Sequence, residues 1–207
     1  GELLTLDRTE DPNGVAISDD GLTVFTSNTG INKLGFNEIS QNRLDRPFDI
    51  ASDRVFFNSN ATCDDLDALA IFTVSGGALS TRAQSIDVVN NGKIFFVLDN
   101  EGKLGKFNAV NPNDVDGIVY ETKIDFELIG LGDNQIKNVA FSRDGTKLYT
   151  LTSRSGVDAK ARQLTTFSLP GPFDISSHTQ IHQVDFFNIG VPDDGDVTEI
   201  GRGIELS

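Results

Sequence analysis

Apolar side chains fall at alternate positions in short runs along this chain, and a polar turn interrupts each run. The pattern is plainest in "VAISDDGLTVFTS" (15–27), "IDVVNNGKIFFVL" (86–98) and "VAFSRDGTKLYTL" (139–151). A period of two puts Val15 with Ile17, Ile86 with Val88, and Val139 with Phe141 on one face of an extended strand. Asp20-Gly21, Asn91-Gly92 and Asp144-Gly145 then supply turns that tolerate positive φ, and a second apolar run follows. Similar apolar trios stand at Phe48–Ile50, in "FDIASDRVFFNSN", and at Ile204–Leu206. A third strand is predicted at 33–39, 68–74, 103–110 and 163–169, and a fourth, more variable one at 119–128 and 180–189. No stretch of twelve residues keeps a period of 3.6, so the pattern predicts few helices.

Four antiparallel strands recurring at roughly 40–50 residues define an all-β chain built as a β-propeller of four-stranded blades. The units start near 15, 48, 86 and 139, with a partial one at 204, so about four blades are expected in a single domain over 1–207. Residues 2–14 read as the fourth strand of an earlier blade, and 201–207 as a first strand cut before its turn. The expectation is therefore a segment of a larger ring, incomplete at both ends. Stacked sheets need bulky side chains between them. With 15 Phe, 2 Tyr and no Trp, that role falls to Phe25, Phe57, Phe96, Phe107, Phe141 and Phe167.

Charge narrows the range of partners. Thirty-one acids against 17 bases give a net charge of −14, which repels phosphate backbones and argues against nucleic-acid binding. No apolar run approaches the length of a membrane span, so membrane insertion is not expected. A single cysteine, Cys63, excludes an internal disulfide within this sequence.

"AFSRDGTKLYTLTSRSG" and "TTFSLPGPFDISSHTQ" resemble tandem repeats of large extracellular bacterial proteins and of phage virion proteins. "ISDDGLTVFTSNTGINKLGFNEI" resembles the YVTN-type repeat of surface-layer and lactonase-like propellers, and "LDRPFDIAS" (44–52) echoes "LPGPFDISS" (169–177). The resemblance implies a non-enzymatic structural or binding module at an extracellular, cell-surface or virion location. Its partner would be a protein or a cell surface, and it would assemble with other chains. The alternative it implies is a calcium-dependent, lactonase-like hydrolase.

For that alternative the candidate metal ligands are Asn28, Asn60 and Asp99, read as equivalent residues at the exits of second strands. Oxygen ligands from successive blades suit Ca²⁺, whereas the fourth unit offers only Thr152. Asn and Asp also serve simply as turn and cap residues. The acids Asp64, Asp65 and Asp67, and those within 191–199, lack the spacing of a calcium loop. His178 and His182, four apart on a predicted strand, would share a face. No nucleophile or phosphate-binding motif occurs, so no catalytic residue is assigned.

Overall fold

The computed structural model describes residues 12–28, 38–49, 56–62, 83–99, 102–115, 118–126, 136–152 and 163–185. These residues hold twelve strands and no helix, arranged as three four-stranded sheets. The first sheet contains β1 (Pro12–Ile17), β2 (Thr23–Asn28), β3 (Glu38–Arg43) and β4 (Phe56–Thr62), side by side in chain order. The second runs through β5 (Ala83–Val89), β6 (Ile94–Asp99), β7 (Lys103–Asn108) and β8 (Val119–Asp125) in the same way. The third is formed by β9 (Ile136–Phe141), β10 (Lys147–Thr152), β11 (Gln163–Ser168) and β12 (Thr179–Asp185). By contacts the chain divides into two compact units: Gly1–Asp99 with Gly105–Thr122, and Asn100–Leu104 with Lys123–Ser207.

The unit expected near residue 48 is corrected by this topology. Phe48 lies in the turn after β3, at φ 57°, and "VFFNSN" feeds β4, the outermost strand of the first sheet. The same mistake is available in the third sheet, where Phe173 and Ile175 also form an apolar–x–apolar trio yet lie between β11 and β12. An apolar trio that packs a loop onto its own sheet imitates a strand. The third strand of the first sheet is described over Glu38–Arg43, and the predicted positions 33–37 lie outside the described residues. The proposed strands at 68–74 and 204–206 lie outside the described residues.

Each sheet closes with the same backbone arrangement. In the first hairpin the Gly21 N–H donates to Ser18 O, and the Ser18 N–H to Thr23 O. In the third, Gly145 donates to Ser142 O and Ser142 to Lys147 O. The loop that leaves the third strand then returns to the hairpin: the N–H groups of Phe48, Asn113 and Phe173 donate to the carbonyls of Gly21, Gly92 and Gly145 at 2.8, 2.9 and 2.8 Å. All three donors hold positive φ, 57–58°. For the two Phe residues this conformation is costly, and it is compensated by seating each ring on a hairpin glycine. A Cβ added to Gly21 would stand 2.4 Å from the Phe48 ring, and one on Gly145 would stand 2.8 Å from Phe173. The glycines, at φ 69°, are thus required twice, for backbone conformation and for room.

In the first unit the core lies between the first two sheets. Ala16, Phe25 and Ile39 of the first sheet pack against Ile86, Val88, Phe95 and Val97 of the second. Phe25 meets Phe95 edge-on, with centroids 5.1 Å apart, a favoured arrangement for aromatic pairs. Two long-range hydrogen bonds fix the register of this seam. Asp19 Oδ2 accepts from the Asn91 N–H at 3.0 Å, and Gln41 Oε1 accepts from the Val115 N–H at 2.8 Å. Within the second unit Phe126 packs on Phe167 (6.1 Å) and Phe141 on Phe173 (6.0 Å). The packing role expected of Phe25, Phe96, Phe107, Phe141 and Phe167 agrees with their burial, and the Phe57 side chain lies outside those described.

Candidate functional site

A β-bulge marks the same point in every sheet. The first strand carries one unmatched residue near its start: Asn13 in β1, Gln84 in β5 and Lys137 in β9. Beyond each bulge the ladder ends on an equivalent pair, Pro12 with Asn28, Ala83 with Asp99 and Ile136 with Thr152. Two residues named from sequence, Asn28 and Asp99, therefore occupy matching places at the ends of second strands. Bulges twist a strand and re-aim its end, and they concentrate beside functional sites.

Asn60 does not belong to this set. It lies within β4, paired with Ser40, on the outermost strand of the first sheet. The misplacement follows directly from reading 48–60 as a separate unit. Thr152 is at the matching place in the third sheet, but its hydroxyl closes its own hairpin. It accepts from the Gln163 N–H at 3.1 Å and lies 3.2 Å from Gln163 O.

Around Asp99 the first unit is polar and tightly closed. Asp99 is fully buried at the end of β6; Ser85, opposite the neighbouring Leu98, and Ser27 of β2 are buried too. Gly14 lies between Ser27 and the backbone of β5: a Cβ there would stand 2.7 Å from Ser27 Oγ and 2.8 Å from Ser85 Cα. Neither serine hydroxyl finds a hydrogen-bond partner in the protein. A buried carboxylate is an oxygen donor of the kind that Ca²⁺ takes. Sequence reading did not single out the buried Ser27 and Ser85. Among the described residues no three His, Cys, Asp or Glu side chains cluster as a metal site.

The histidines do not form a pair. The bulge at Ile181 lets Gln180 oppose Phe167 and His182 oppose Thr166, two neighbours on opposite faces of β11. His178 accordingly packs edge-on against Phe167 at 5.4 Å, and burial lowers its pKa. His182 is exposed. Cys63, the acids at 64–67 and those at 191–199 lie outside the described residues.

Sheets of this order and connectivity define a propeller-like all-β fold, and solved structures agree. The chain is similar to a candidate 6-phosphogluconolactonase from Bacteroides uniformis, at 13% identity and a TM-score of 0.50, over 84% of this chain and 41% of that one. It is equally similar to a candidate 6-phosphogluconolactonase from Bacteroides fragilis, with the same identity, coverage and TM-score. This chain thus spans about two fifths of the length of those proteins. No protein-family model matches the sequence, and no curated protein does.

Proposed function

We propose that this chain is part of a calcium-dependent hydrolase of the lactonase kind. The observation that carries the reading is the fully buried Asp99 carboxylate at the end of a bulged hairpin. Asp99 and Asn28, at matching ends of neighbouring sheets, would hold the ion. A bound Ca²⁺ would supply Lewis-acid polarisation of an ester carbonyl. The similar solved structures, both named as candidate lactonases, favour this reading over a purely structural one.

Calcium titration and substrate turnover test it together. Millimolar Ca²⁺ should raise the melting temperature reversibly with EDTA, because an ion that binds only the folded state stabilises it by mass action. Asp99→Asn should abolish that rise, together with hydrolysis of simple sugar lactones. Absence of any calcium shift in the unaltered protein sinks the proposal.

A second reading, a non-enzymatic structural or binding module of an extracellular or virion protein, has one specific observation in its favour. The features repeated from sheet to sheet, the hairpin glycine and the loop seated on it, serve architecture and not chemistry. Calcium indifference combined with inactivity on lactones would favour it. Its partner would then be a protein or cell surface.

A further inference from the structure

In the first unit, one sheet face receives and the opposite face of its neighbour presents. The receiving face of the second sheet is led by Ile86 and Val88, only 4% and 6% exposed because Ala16, Phe25 and Ile39 of the first sheet cover them. Counting from the hairpin glycines, Val15 and Ile17 are the matching residues of the first sheet. They are 64% and 39% exposed. The first sheet therefore has a receiving face that is built but left open along β1.

The third sheet carries the other half of such a contact. Its residues matching Ala16 and Phe25 are Ala140 and Tyr149, a register-paired couple on β9 and β10. Tyr149 is half-buried where Phe25 is wholly enclosed. The turn that flanks this contact matches as well. Within the first unit Asp19 of the presenting sheet bonds to the Asn91 N–H of the receiving one. The corresponding positions are Arg143 on the third sheet and Asp20 on the first, both exposed and of opposite charge.

We propose that the Val15–Ile17 face of the first sheet is a docking surface for a second copy of this chain, which lays the Tyr149 face of its third sheet upon it. The contact is heterologous, joining two different surfaces, so it propagates head to tail. Tyr149 takes the place of Phe25 over the aliphatic pair, and Arg143 of one copy faces Asp20 of the next.

Sedimentation velocity and native mass spectrometry of the full chain at about 50 µM, an ordinary range for modest interfaces, test this. The unaltered protein should associate, and Val15→Asp, at an exposed site, should leave melting unchanged and abolish association. Tyr149→Asp should do the same, and Arg143→Glu should weaken association several-fold. A mixture of Val15→Asp and Tyr149→Asp chains should recover a dimer and nothing larger, because one intact junction remains. If Tyr149→Asp lowers the melting temperature, Arg143→Glu takes its place in the mixture. A monomer at every concentration, association unaffected by Val15→Asp, or a mixture that stays monomeric overturns the proposal.

Discussion

Phe141 shows at the scale of one side chain how alternation becomes stability. It is the last residue of β9, 6% exposed, and its ring lies against the loop residue Phe173. Removing it empties a volume that backbone on both sides cannot collapse into, so Phe141→Ala should cost about 3–5 kcal/mol in urea unfolding. Phe167→Ala should cost a similar amount. A loss under about 1 kcal/mol at both would contradict the packing described. Asp144 illustrates a polar counterpart. The Ser142 hydroxyl first, then the Thr146 N–H and hydroxyl, donate to its carboxylate and lower its pKa to about 2. Because its folded pKa is depressed, the carboxylate favours folding above the ordinary value of 3.8, and that preference disappears as pH falls through about 2. Carbon NMR titration should find the low value directly, and Ser142→Ala should move it back toward 3.8.

The hairpin with its returning loop is the element that repeats, and its glycines set its tolerance. Gly145→Ala forces a Cβ into left-handed backbone and against the Phe173 ring, so it should cost about 1–2 kcal/mol or more. Gly171→Ala is the matched comparison, since its Cβ would meet only Asp174 at 3.9 Å. It should stay within about 0.5 kcal/mol of the unaltered protein in the same thermal melts. This element also explains what could be read from sequence. Asp-Gly and Asn-Gly turns flanked by alternating apolar residues located the first two strands of three sheets, although each first strand begins three residues before its apolar trio. The loop defeated the same rule, because Phe48 and Phe173 look like strand residues while serving as lids on a glycine. From that single error came the extra unit at 48 and the misplaced Asn60. The matching places of Asn28 and Asp99 were legible because an oxygen-bearing residue ends an apolar run in each. The bulge opposite them was not, since it leaves no mark in composition and shifts register without changing the residues.

For the whole molecule, charge and surface shape pull in opposite directions. A net charge of −14 makes two copies repel at long range. The single Arg143–Asp20 pair would return at most about 1 kcal/mol, as exposed ion pairs do. Repulsion therefore dominates the electrostatics, and apolar contact at Val15, Ile17 and Tyr149 must drive any association. Raising NaCl from about 20 to 500 mM shrinks the screening length from tens of ångströms to a few. Association measured by sedimentation should accordingly strengthen with salt. Weakening by salt would identify charge, not apolar burial, as the driving force.

The returning loop has a consequence for how such a chain can change over generations. Because the Gly21, Gly92 and Gly145 carbonyls are each used by a residue fewer than thirty positions downstream, the closure of a sheet is written entirely within its own stretch of sequence. Copying or deleting one such stretch adds or removes a module whose own closing hydrogen bonds are internal, as in other repeat architectures. Within a module the drift is less free. A Phe or Asn at the left-handed position and a glycine in the hairpin form a linked pair, so a lineage that loses one member should lose or replace the other.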